Sequence, residues 1–197
     1  MSGHANVSWQ AARRCATTCS HTLPIAHLPA LESFPDLFDV KAVYSRSAQS
    51  CDALKAVSSP SITGGVDTFH EGNGGLDALL ARGDIDAVVS ALPITYQAAA
   101  VRKAWAAGKH VLSEKPVAGS FDEAKSLLQE YEAKHKPQGL VWHVAENYAH
   151  EPAFYVAQDL VKNVGKISYV HGTWAMFADP DNPFVGSDWR VNPQYVG

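Results

Sequence analysis

Two rhythms of hydrophobic and polar positions run along this chain, and they meet most clearly between Asp84 and Pro116 (DIDAVVSALPITYQAAAVRKAWAAGKHVLSEKP). Residues 85–92 are short and almost wholly apolar, which predicts a strand buried on both faces, the kind found in parallel sheets. Pro93 ends that run. Residues 98–107 are alanine-rich, with Val101 and Trp105 one turn apart, and predict a helix closed by Gly108. Residues 110–113 predict another short strand, and Glu114, Lys115 and Pro116 follow it directly.

The same alternation extends both ways. Residues 23–33 (LPIAHLPALES) fit a short helix; Pro24 suits its first turn, and Pro29 strains its interior unless the helix begins later. Residues 40–44 predict a strand, 48–57 a helix, 58–65 a loop, 66–69 a short strand, and 76–82 a helix closed by Gly83. Ser120 with Glu123 three residues on is a capping box, and Phe121, Ala124, Leu127, Leu128 and Tyr131 form one apolar face reaching about to His135 before Pro137. Residues 140–145 (LVWHVA) predict a further strand. Strands and helices at this spacing make βαβ units, hence an α/β fold with a doubly wound parallel sheet.

Beyond Glu146 the pattern changes. Residues 152–163 predict a helix, 167–177 a long strand, and 178–197 a Pro- and Gly-containing loop. One helix and one strand cannot bury a core of their own. The expected organisation is an atypical, poorly defined N-terminus (1–22), a nucleotide-binding-type domain (23–145), and an incomplete α+β domain (146–197).

Composition adds exclusions. The net charge of −4 offers no basic footprint for nucleic acid. No apolar run approaches the ~20 residues of a membrane span. Cys15, Cys19 and Cys51 are odd in number, with a single CxxxC spacing, which points to reduced thiols and a cytoplasmic location rather than to a metal or disulfide framework. No acidic residue precedes Glu32, and Arg13-Arg14 sits among small and hydroxyl residues. That start reads either as an organelle-targeting peptide or as a disordered terminus.

Ligands in parallel α/β sheets sit just beyond the carboxyl ends of strands. Two such ends are predicted, at Ala91-Leu92-Pro93 and at Glu114-Lys115-Pro116. Several further motifs accompany them: HLPAL (27–31), YSRS (44–47), AENY (145–148), EPAF (151–154) and Asp188-Trp189-Arg190. Together with GDIDAVVSALP (83–93) and KAWAAGKHVLSEKP (103–116), they make the chain resemble the glucose–fructose oxidoreductase / inositol dehydrogenase (Gfo/Idh/MocA) family. The variant with SRS and AAGKHVLSEKP is similar to members that oxidise sugars or dihydrodiols with NADP.

The resemblance implies a Rossmann-like domain followed by an α+β substrate domain, and hydride transfer between a sugar, polyol or diol carbon and a nicotinamide. It implies that Lys115 hydrogen-bonds the substrate hydroxyl as the catalytic residue, and that Glu114 and Pro116 line the nicotinamide pocket. Ala91, Leu92 and Pro93 would pack beside the cofactor. Ser45 and Arg46 would meet the adenosine ribose; an arginine there, with no acid, favours NADP, with NAD possible. Asn147 would touch substrate or cap a loop. Gln97 stands where many relatives carry histidine and is uninformative on this reading, while His143 and His171 read as packed sheet histidines. A homo-oligomer is usual in the family, through a sheet that this chain does not carry.

Two departures are expected to matter. No glycine lies between Gly3 and Gly64, so the glycine turn for the pyrophosphate, and the apolar strand before it, read as atypical or missing. The family's downstream Asp/His segment is not found either, so the chain reads as truncated at both ends. The alternatives to an enzyme are an inactive remnant that binds nucleotide weakly, and an interaction protein that pairs through the exposed edge of residues 167–177.

Overall fold

The computed structural model describes residues 14–19, 27–57, 65–173 and 175. It divides into two units, residues 1–145 and 146–197. In the first, strands β1 (Arg14–Cys19), β2 (Asp39–Tyr44), β3 (Asp67–Phe69), β4 (Ala87–Ala91), β5 (His110–Ser113) and β6 (Trp142–Val144) form one sheet. Every pairing is parallel, and the order is β3-β2-β1-β4-β5-β6. The chain therefore winds outward from β1 on one side, then crosses back and winds outward on the other. This is the doubly wound Rossmann arrangement, with its switch point between β1 and β4.

The first strand, expected to be atypical or missing, is present as β1 and is atypical. RCATTC is too polar to read as a core strand, yet it pairs with β2 on one side and β4 on the other. Small and β-branched residues suit a strand flanked on both sides, and Ala16 is fully buried. The register slips by one residue between Cys15 and Ala16.

Helices α1 (His27–Glu32), α2 (Ala48–Val57), α3 (Gly75–Leu80), α4 (Ile94–Ala106) and α5 (Phe121–Glu130) connect the strands. α1 begins late enough to place Pro29 in its first turn, where proline is tolerated. α4 begins four residues before the expected 98, because Pro93 both ends β4 and serves as the N-cap. Its alanines let it lie close to the sheet, burying Ala98, Val101, Ala104 and Trp105. Gly108 closes it at φ +71°, in the left-handed region.

At α5 the Ser120 hydroxyl accepts from the Glu123 amide at 3.2 Å, while the Glu123 carboxylate reaches the Gly119 amide rather than that of Ser120. A π turn, Tyr131–His135, and a short 3-10 turn, Lys136–Gln138, follow. Val88, Val101, Trp105, Val111 and Leu127 meet in the main core. Each such side chain contributes roughly 1.5–3 kcal/mol when fully buried. Trp105 stacks on Tyr131 and meets Trp142 edge-on, with centroids 5.5 and 5.1 Å apart.

The described part of the second unit holds a 3-10 turn, Asn147–His150, and helix α6, Pro152–Val161. The expected strand over 167–177 is not formed in residues 167–173. Alternating apolar side chains supply a face, but a strand also needs a ladder partner, and none is present there among the described residues. His171 is consequently not a sheet histidine; its Nε2 lies 3.2 Å from the Thr173 hydroxyl. His143 does lie in β6, but exposed on the sheet edge rather than packed. Among the described residues no helix is long and apolar enough to cross a membrane, and no group of three or more His, Cys, Asp or Glu is placed to hold a metal ion.

Candidate functional site

Parallel pairing puts the carboxyl ends of β1, β2, β4 and β5 along one edge of the sheet. Residues leaving those strands gather there. Ala91 ends β4 fully buried, and Leu92 and Pro93 are half-buried as the chain turns into α4. Ser45 follows β2 and is buried, its amide donating to the Phe69 carbonyl at 3.1 Å. Arg46 is exposed, with its guanidinium 5.2 Å from the ring centroid of Tyr96 on α4. Among the described residues no ion pair engages Arg46. A cation held on an aromatic face, with its hydrogen-bond donors unspent, suits an incoming phosphate.

Beside it the Tyr44 hydroxyl donates to Glu71. Burial, and then that carboxylate, push the phenol above its ordinary value.

β5 ends at Ser113, and the Glu114-Lys115-Pro116 segment leaves the sheet with a cis Lys115–Pro116 peptide. The Glu114 amide donates to the Ser90 carbonyl at 2.8 Å, carrying the segment across to β4. The Glu114 carboxylate is held twice. Oε1 lies 2.8 Å from His27 Nε2 on α1, and Oε2 accepts from the Lys115 amide at 3.1 Å. His27 is the main reason the carboxyl sits below its ordinary value; burial opposes the shift, and the Lys115 amide adds to it.

Lys115 and Pro116 are exposed. Among the described residues the Lys115 ammonium has no hydrogen bond or ion pair. Lys109, six residues earlier, is the opposite case: it is buried, and its Nζ donates to the carbonyls of Arg82 (2.7 Å) and Ile85 (2.9 Å). Only Lys115 of this pair is available to a ligand.

Sequence reasoning missed two residues here. His27 is visible in HLPAL, but nothing local shows its contact with a carboxylate 87 positions away. Gln97 is buried on α4, and its side-chain nitrogen donates to the carbonyls of Glu114 and Pro116. Asn147 belongs to the second unit, where it opens the 3-10 turn.

The signature of the oxidoreductase family with an NAD-binding Rossmann fold, Gfo/Idh/MocA, matches residues 24–140. Dehydrogenase FPY6 of Fusarium mangiferae is 35% identical over 172 residues, covering 87% of this chain and 48% of that protein. A crystal structure of an oxidoreductase from Thermotoga maritima superposes with a TM-score of 0.74 at 27% identity, covering 94% of this chain and 54% of the other. KijD10, a 3-ketoreductase from Actinomadura kijaniata solved with NADP and TDP-benzene, superposes with a TM-score of 0.63 at 27% identity, covering 77% and 42%. The chain spans about half the length of the curated relatives it matches.

Proposed function

The chain belongs to the Gfo/Idh/MocA family of NAD(P)-binding oxidoreductases, and from that premise we propose that it serves hydride transfer between an alcohol carbon of a sugar, polyol or diol and NADP, with NAD as a weaker alternative. The observation that carries this reading is Lys115. Its ammonium is exposed and unpaired among the described residues, while the backbone beneath it is tied to β4, to α4 and to Glu114.

When bound, the cofactor supplies the nicotinamide C4 that accepts or returns the hydride. The protein does the rest. Arg46 offers its guanidinium to the 2′-phosphate beyond β2, where an NAD-specific site would carry an acid. Ala91, Leu92 and Pro93 form an apolar wall, and Glu114 and Pro116 bound the pocket from the β5 side. Lys115 donates to the substrate oxygen and stabilises the negative charge that develops as the hydroxyl proton passes to solvent. Asn147 is a candidate for a second contact with substrate. A small-molecule substrate and a soluble, cytoplasmic enzyme are parts of the same reading.

The segment between β1 and α1, residues 20–26 (SHTLPIA), contains no glycine. That supports a second reading, a module that holds nucleotide weakly and does not turn over, since only glycine allows the closest backbone approach to a pyrophosphate. Titration of the purified chain with NADPH, followed by nicotinamide fluorescence, separates the two. Saturation at micromolar cofactor is expected for the first; no binding at millimolar cofactor overturns it for this polypeptide.

A further inference from the structure

We propose that Gln97 is a positioning residue for Lys115: its buried side-chain amide grips the two carbonyls that bracket the Lys115–Pro116 dipeptide and so fixes where the lysine amine stands. This inference rests on the reading of Lys115 above for what the amine is for.

Gln97 is 1% exposed and lies one turn into α4 on the face turned to the sheet. Its Nε2 donates to the Glu114 carbonyl and, at 3.0 Å, to the Pro116 carbonyl. A primary amide nitrogen carries two hydrogens, so both are committed to this one loop. Oε1, by contrast, is buried with no hydrogen-bond partner among the described residues. Rotating the amide would place that oxygen against two carbonyl oxygens, so the loop dictates the orientation of the side chain. A buried acceptor left without a donor is unfavourable, and the pair of bonds to the loop is what offsets it.

The geometry explains what the grip achieves. α4 follows β4 through Pro93, and the loop follows β5, so Gln97 ties the exits of two adjacent strands together. Glu114 supplies the complementary ties, through its amide to Ser90 and its carboxylate to His27 and the Lys115 amide. The polar backbone groups of Glu114, the Lys115 amide and the Pro116 carbonyl are thus all engaged, while the Lys115 ammonium is left unpaired among the described residues. A backbone tied at these points beneath an uncommitted amine is a way to aim that amine.

The test uses the 15N-labelled full chain with Gln97→Leu, which keeps the bulk and removes the donor, and Gln97→His, whose ring N–H can serve one carbonyl. Amide hydrogen exchange is first measured without cofactor. Gln97→Leu is expected to speed exchange at Glu114 and Lys115 at least ten-fold and to leave Val111 and Leu112 within two-fold; Gln97→His is expected to recover most of the protection. Exchange at Lys115 within two-fold of wild type in Gln97→Leu overturns the proposal. Should Gln97→Leu not fold, the wild-type Gln97 side-chain amide protons decide: slow exchange is expected, and exchange at the rate of a free amide overturns it.

Turnover is read second. Gln97→Leu is expected to lower kcat at least ten-fold with KM for NADPH within three-fold, and an unchanged kcat overturns the proposal. If the wild-type chain does not bind NADPH, the cofactor reading fails by itself, and the exchange data still decide the role of Gln97.

Discussion

His27 and Glu114 lie 87 residues apart in sequence and meet beyond the carboxyl edge of the sheet, with Nε2 2.8 Å from Oε1. Both side chains are about four-fifths buried, at 18% and 22% exposure, so solvent screens the pair only in part. The contact joins α1, the helix after the switch-point strand, to the segment that carries Lys115. His27→Ala is expected to let the Glu114 carboxyl return toward its ordinary value and to cost about 1.5–3 kcal/mol, the range for a hydrogen bond to a charged group. The sign with pH follows from the lowered carboxyl. Its contribution is present above the unfolded value near 4.5 and is lost as pH falls below it. Wild type should therefore lose stability from pH 5 downward more steeply than His27→Ala. Urea midpoints at pH 7 and about pH 3.5 check this; equal losses in both proteins would remove the pair from the account.

Arg46 is the expected discriminator between the two dinucleotides. Replacing it with Ala should weaken NADPH binding about 10- to 100-fold, equivalent to roughly 1.5–3 kcal/mol of charge-assisted hydrogen bonding, and leave NADH within about two-fold. Fluorescence titrations with both cofactors provide the comparison. An equal effect on both would place the 2′-phosphate elsewhere.

Lys115→Ala should abolish measurable turnover while NADPH affinity changes little, because the amine acts on the substrate oxygen rather than on the dinucleotide. Lys109→Ala should do the reverse of a site mutation. Its ammonium is spent on the Arg82 and Ile85 carbonyls, so its removal should lower thermal stability and leave cofactor affinity intact. Melting curves alongside the fluorescence titration separate these two outcomes.

Trp105→Ala should cost about 3–5 kcal/mol, the usual range for emptying a large aromatic site. Trp105 is 2% exposed and packs against the rings of Tyr131 and Trp142. Loss of the cooperative urea transition, or a midpoint shift of that size, is expected.

Two glycines separate backbone strain from steric overlap. Gly108 sits at φ +71° with open space where a Cβ would lie, so Gly108→Ala should cost about 1–2 kcal/mol from backbone conformation alone. Gly74, at φ +103°, would also place a Cβ 2.7 Å from that of Ala78, so Gly74→Ala should cost more. A smaller loss at Gly74 than at Gly108 in thermal melts would contradict the geometry.

What the sequence disclosed follows from how local each signal is. α2 was legible at both ends because Ser, Pro and Gly, poor helix formers, cluster beside it in the sequence, and Gly108 was legible because only a helix end needs it there. Residues 94–97 read as neither strand nor helix, since Ile94 and Thr95 are β-branched and the N-cap is a proline. β1 was hidden because what places it is pairing with β2 on one side and β4 on the other, which leaves no apolar run to read. The strand ends were legible from the apolar runs before them. The ties among them were not: Gln97 reaches carbonyls 17 and 19 positions on, and His27 a carboxylate 87 positions on. A carbonyl partner leaves no mark on residue type, so no reading of side chains could have found the Gln97 contact.

The middle position of β1 also bears on how the chain assembles. β3-β2 and β4-β5-β6 share no pairing except through it. Thr18 pairs with Ser90, and the β1–β4 pairing spans the widest separation in sequence of any in the sheet. During synthesis β2 can dock on β1 before β4 emerges, leaving the other edge of β1 open until β4 is made. Folding speed should then be governed by closure of that long loop more than by helix formation, and a chaperone that shields a single open strand would be most useful in that interval.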